Sequence, residues 1–239
     1  HAENLLWNEV ELKAHTDPAS PISFPNSEPL PFDSPVLEKK AGWYKGDLHC
    51  HTHHSDGENS LQELTDAAKA RGLDFLAITE HNTTSHLAQL ARYATPDFLP
   101  IPAEEITTYH GHANVWGIKQ WVDFRCTTDD EVRQAIAAAH RQGALFSINH
   151  PKSEGPPWGF GYDLDLDCME VWQAPFWLSN YQSLAMWDSL LRQGKRIVAV
   201  GGSDLHRLGT EDAPAPYPLG TPTTWVYAEA LTQAAILSA

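Results

Sequence analysis

Three cysteines in 239 residues are too few and too scattered for a disulfide framework. Cys50, Cys126 and Cys168 also lack the spacing of a zinc finger or a CxxC redox pair. Positive charge is scarce. Lys and Arg number 16 against 31 Asp and Glu, a formal net charge of -15. The nearest thing to a basic patch is Lys39-Lys40 with Lys45 soon after, so extended nucleic acid is disfavoured as a partner. A small phosphorylated or ester substrate is not excluded, because bound divalent cations place positive charge inside an acidic protein. No apolar run is long enough for a membrane span, and no charged-then-apolar leader is visible. The chain starts at His1 rather than Met, which leans toward an exported, periplasmic or secreted protein. There is no glycine-rich dinucleotide fingerprint and no internal repeat.

What is present reads as a globular α/β domain. Hydrophobic residues make up 42% of the chain and charged residues 20%, proportions of a soluble core-forming protein. Residues 1–40 form a proline-rich arm, with Pro18, Pro21, Pro25, Pro29, Pro31 and Pro35, after a short element at 5–12. From residue 41 onward short strands alternate with helices. Strands are expected at 43–50, 75–79, 98–101, 145–148, 168–172 and 197–200. Ser60 with Glu63, and Thr128 with Glu131, are capping boxes that open helices ending near Gly72 and Gly143. A further helix is expected at 180–194. Such alternation argues for a parallel β/α architecture, whose chemistry sits at the C-terminal ends of the strands.

Those ends carry the histidines and carboxylates. In an extended segment His49 and His51 project from one face, while Cys50 points the other way into the packed side. Asp56 follows in the same loop. His81, between Glu80 and Asn82, closes the next strand. Glu104 and Glu105 follow the third, His112 flanks a hydrophobic segment, and His150 ends the strand at 145–148. Asp204 and His206 form a second alternate pair after 197–200. A lone histidine in such a place is usually structural. Groups delivered by five or six strand ends point instead to a shared metal site. Imidazole and carboxylate donors without a thiolate cluster suit manganese, zinc or iron, and the set is large enough for two or three ions.

The segments GDLHCHTHHSDG at 46–57, ITEHN at 78–82, PAEE at 102–105, Gly111-His112, NHP at 149–151 and GSDLH at 202–206 carry a resemblance. In their order they resemble the PHP superfamily (polymerase and histidinol phosphatase type) of metal-dependent phosphoesterases, and within it the CehA/McbA-like branch. The resemblance implies a distorted (β/α)7 barrel over residues 41–239, with a trinuclear metal centre at its mouth. The first ion would take His49, His51, Glu104 and Asp204. The second would share Glu104 and take His112 and His150. The third would take Asp56, His81 and His206. Glu104 is the assigned bridge, with Glu105 the alternative. Glu80 stands where many relatives carry Asp and would orient a ligand. The proline-rich arm would be a remnant of an upstream domain.

The implied reaction is hydrolysis of a phosphomonoester or phosphodiester by a metal-bridging hydroxide. Asp204, His206 and Glu104 would hold the reacting centre. Lys152 and Arg207 are candidates for phosphate contacts, and His54 or His86 for protonating the leaving group. A carboxylic ester, carbamate or amide substrate is the alternative, favoured if Trp158, Trp172, Phe176 and Trp177 line a pocket. A non-catalytic, metal-stabilised domain is a third reading.

Overall fold

Period-two alternation of apolar residues sorts the strands onto the two faces of one eight-stranded sheet. The structure, a computed structural model, describes residues 40–209 and 218–239. The expected arm, apart from Lys40, and the element expected at 5–12 lie outside the described residues. The strands are β1 (Gly42–Asp47), β2 (Phe75–His81), β3 (Leu99–Thr108), β4 (Gly111–Trp116), β5 (Leu145–Ile148), β6 (Cys168–Gln173), β7 (Val198–Gly202) and β8 (Thr224–Ala228). The helices are α1 (Leu61–Ala70), the four-residue α2 (Leu87–Leu90), α3 (Asp129–His140), α4 (Asn180–Arg192) and α5 (Gln233–Leu237). Ser60 and Thr128 cap α1 and α3 with both halves of the capping box in place, as their sequences require.

Sheet order is β7-β6-β5-β4-β3-β2-β1-β8. Neighbours are parallel except around β4, which is antiparallel to β3 and β5, and at β8, antiparallel to β1. The sheet curls until its ends nearly meet. Beyond β1, His49 O accepts from Asp204 N (2.8 Å) and His51 N donates to Leu205 O (2.9 Å). Lower down, Gly201 N donates to Thr224 Oγ1 at 3.0 Å. The result is a distorted α/β barrel of the expected kind. Tyr44, Phe75, Ala77, Leu99, Ile101 and Val200 belong to the core cluster that lines its inside. Leu76, Ile78, Phe146 and Ile148 face outward onto Leu61 and Leu64 of α1 and Ile136 of α3. Burying each such side chain contributes about 1.5–3 kcal/mol.

The regular strand-helix alternation breaks at β4. β3 and β4 form a hairpin, so the first residues of β4, not its last, reach the mouth. That is how His112 arrives there. The segment after β4 returns along the outside as an irregular strap before α3 begins. Val122 N on the strap donates to Glu104 Oε2 (2.9 Å), and Trp121 Nε1 donates to Asn82 O (3.1 Å).

One glycine fixes how closely β1 and β2 approach. A Cβ at Gly46 would fall 2.5 Å from the main-chain oxygen of Phe75, besides striking its ring. Main chain cannot swing aside, so Gly46→Ala is expected to cost about 1–3 kcal/mol. Urea denaturation would measure it. A wild-type midpoint would show that the two strands tolerate separation.

Candidate metal centre

Polar groups reach the mouth from on or just beyond β1 to β7. His49 and His51 extend β1, with rings 5.2 Å apart and both fully buried. Cys50 between them points outward, where its Sγ lies 3.0 Å from Ala77 O. β2 supplies His81, β3 Glu105 and β4 His112. His150 follows β5, and Asp204 and His206 follow β7. Four groups of donor atoms lie within 4.8 Å of one another. They are His51, Asp56, His81 and His206; His49, His51, Glu105 and Asp204; His81, Glu105 and His112; and His49, His150 and Glu170.

Glu105 is the hub. Its Oε2 lies 3.4 Å from His49 Nε2, 3.3 Å from His51 Nε2 and 3.0 Å from His81 Nδ1. Its Oε1 lies 3.2 Å from His112 Nδ1 and 3.6 Å from His150 Nε2, and accepts from Asn149 Nδ2 at 2.8 Å. Of the two adjacent acids it is therefore Glu105, the alternative of the sequence reading, that reaches the cluster, and Glu104 does not. Adjacent residues of a strand face opposite sides. Glu104 points outward under the strap, where burial raises its pKa well above the ordinary value.

Electrostatics separate the members of the cluster. Burial opposes charge on Glu105, yet His81, His49 and His112 hold it well below the usual carboxylate range. Asp204 behaves likewise: burial raises it, and His49, His51 and His206 lower it further. Burial, with His206 and His81 nearby, pushes His51 down to about 3, so its ring is neutral. Burial would also depress His206, but Asp56 and Asp204 lift it to about 9. Anionic carboxylates facing a neutral imidazole form a donor set for a divalent cation. Buried polar atoms support the fit. His49 Nε2, His51 Nδ1, Glu105 Oε2 and His150 Nδ1 make no hydrogen bond. Such atoms normally have a partner, and a cation would be one.

The other expected residues are placed differently. Glu80 accepts from Thr52 N (3.0 Å) and from the hydroxyls of Thr52 and Ser55, so it fixes the loop that carries Asp56. Lys152 is buried, its Nζ bound to Gln173 O and Asn180 Oδ1 at 3.2 Å each. Arg207 is exposed, its guanidinium 3.7 Å from Glu58. Burial lowers the pKa of both His54 and His86, His86 to about 3, which disfavours the protonated form expected of a proton donor. The sequence reading missed Glu170, which touches His49, and Gln173, whose Nε2 donates to Asp204 Oδ2 at 2.9 Å. Both are mid-strand or strand-end residues with no histidine beside them.

Residues 47–149 match the model of the PHP domain family. The fold is a distorted barrel of the PHP type. Among solved structures, this PHP fold is similar to a two-domain protein with a PHP-like metal-dependent phosphoesterase from Bacteroides vulgatus ATCC 8482. The TM-score is 0.61 at 21% identity, over 82% of this chain and 62% of that one. It is also similar to a lesion-specific endonuclease from Pyrococcus furiosus, with TM-score 0.56 and 14% identity over 83% of this chain and 56% of that one. In sequence, it is 32% identical over 88 residues to the DNA polymerase/3'-5' exonuclease PolX of Bacillus subtilis (strain 168). That match covers 37% of this chain and 15% of the polymerase, so the chain spans only a small part of that relative's length.

Proposed function

We propose that this PHP-type domain hydrolyses a small phosphomonoester or phosphodiester, using two or three divalent ions of manganese, zinc or iron. The observation that carries the reading is Glu105, one buried carboxylate within 3.6 Å of five histidines from four different segments. A carboxylate shared in this way suits a multinuclear centre better than a lone structural ion. Within the superfamily we favour the CehA/McbA-like branch, on the sequence segments that resemble it.

Divalent cations, when bound, polarise phosphoryl oxygens and lower the pKa of water at the site. The residues of the chain do the rest. His49, His51, Glu105 and Asp204 would hold one ion; Glu105, His112 and His150 a second; Asp56, His81 and His206 a third. Gln173 orients Asp204 through its free oxygen. Lys152, buried beside Gln173, carries positive charge to the edge of the site for a substrate oxyanion. The net charge of -15 argues for a small substrate rather than the nucleic acid named for the polymerase relative.

The carbon-ester alternative loses its supporting pocket. Trp158 packs in the core, whereas Trp172, Phe176 and Trp177 are exposed at the surface. The test is turnover of a nitrophenyl phosphate by Mn²⁺-reconstituted protein. Wild type is expected to turn over and His49→Ala to lose at least about a hundredfold in rate. Equal rates would defeat the reading, and faster cleavage of a nitrophenyl carboxylate ester would move the reaction to carbon.

A further inference from the structure

Glu170 lies within β6 and uses both carboxylate oxygens. Oε1 is 2.9 Å from His49 Nδ1, and Oε2 accepts the main-chain N–H of His150 at 2.9 Å. The two histidines belong to strands that are not neighbours in the sheet, yet one buried side chain reaches both. His150 has φ 27°, in the left-handed region that a histidine keeps only when its surroundings fix it. Two further features make room for the contact. A Cβ at Gly202 would lie 2.4 Å from His49 Cβ and 2.8 Å from Glu170 Oε1. A register shift between Glu170 and Trp172 lets Glu170 and Gln173, three positions apart, face the same side.

We propose that Glu170 is a positioning residue that locks His49 and His150 together in their metal-binding orientation, with Gly202 as the spacer that admits it. The inference deepens the metal-centre reading above and rests on it. A carboxylate on Nδ1 holds the proton there, leaving the Nε2 lone pair for a metal. Nε2 of His49 is the nitrogen that faces the cluster, 3.4 Å from Glu105 Oε2 and 3.3 Å from Asp204 Oδ1. A carboxylate can accept at both oxygens, but an amide accepts at one and donates at the other. With Gln at 170, the amide NH₂ must face either the His150 N–H or the His49 Nδ1. The first sets donor against donor. The second drives the ring proton onto Nε2 and takes the lone pair from the cluster.

The experiment is calorimetric titration of metal-stripped wild type, Glu170→Gln and Gly202→Ala with Zn²⁺, alongside melting of each stripped protein. Both variants are expected to bind Zn²⁺ about 10–100-fold more weakly, with melting of stripped Glu170→Gln little changed and that of stripped Gly202→Ala lowered by the close approach to His49. Long-range ¹H–¹⁵N spectra of Zn²⁺-loaded wild type, which need no variant, are expected to show His49 protonated at Nδ1. Unchanged affinity in both variants, or a proton on Nε2, overturns the proposal. So does a variant that loses stability while keeping its Zn²⁺ affinity, since that is a purely structural role. Wild type that takes up no Zn²⁺ defeats the metal centre itself, and is told apart because the variants are then not needed.

Discussion

Glu105→Gln is expected to lower kcat/KM on a nitrophenyl phosphate by about a thousandfold or more, and Glu104→Gln to leave it within about threefold. The two residues are adjacent, both acidic and both fully buried, so burial and charge alone do not distinguish them. Orientation does. Removing the negative charge of Glu105 leaves the surrounding imidazoles without their common counter-charge and, on the proposed reading, takes away a shared ligand. Among the described residues Glu104 accepts a hydrogen bond only from Val122 N, and burial raises its pKa well above the ordinary 4.5. A neutral amide replaces a neutral acid there with little disturbance.

The sign of the Glu104 effect follows from linkage. The folded protein keeps that proton at pH values where the unfolded chain has released it. The stability it contributes is full below pH 4.5 and declines as pH rises toward the raised folded value. Glu104→Gln has no such decline, so its stability relative to wild type should climb with pH, by at most about 1.4 kcal/mol per unit. Denaturant midpoints of the pair at pH 5 and pH 8 would measure it. A Glu104 variant as inactive as the Glu105 variant would restore Glu104 as the bridge.

Removing metal with a chelator is expected to lower the melting temperature by about 5–10 °C. A ligand at a hundredfold excess over its Kd adds about 2.7 kcal/mol, and each kcal/mol moves a domain of this size by about 2–4 °C. The direction follows from buried donors that lack hydrogen bonds and from Glu105 and Asp204, two carboxylates in one group of donors within 4.8 Å. A cation relieves both costs only in the folded state. Glu105→Gln should melt at nearly the same temperature with and without chelator, while Glu104→Gln should keep the wild-type shift. Identical melting of wild type in both conditions would show that no ion is held.

Most of the clustered side chains could be picked out of the sequence because they sit at or just after the ends of apolar runs that read as strands. The error at Glu104 was one of parity. β3 is longer than expected, and its inward residues are Leu99, Ile101, Ala103 and Glu105. A signal was present: Pro100 and Pro102 occupy the other face in step with Glu104. Leu99 N donates to Asp74 O on the β2 side, so the positions of the two prolines direct their missing N–H toward β4, which pairs only from Ala103 onward. The reversal of β4 was harder to see, because His112 at a strand start and a ligand at a strand end look alike without the partner strand. Glu170 gave no signal. A single carboxylate among Cys168, Met169 and Val171 reads as an exposed strand position, and only the approach of His49 from the far end of the chain assigns it a task.

The main-chain pairing of His49 and His51 with Asp204 and Leu205 joins stretches of chain more than 150 residues apart. A ribosome that has delivered residues up to 150 has already released His49, His51, Asp56, His81, Glu105, His112 and His150, but not their closing partners. Such a nascent chain holds most of the donors and none of the geometry. Ion capture during synthesis would then be loose and reversible, and selectivity among competing cations would be decided after the last strand of the barrel comes into register.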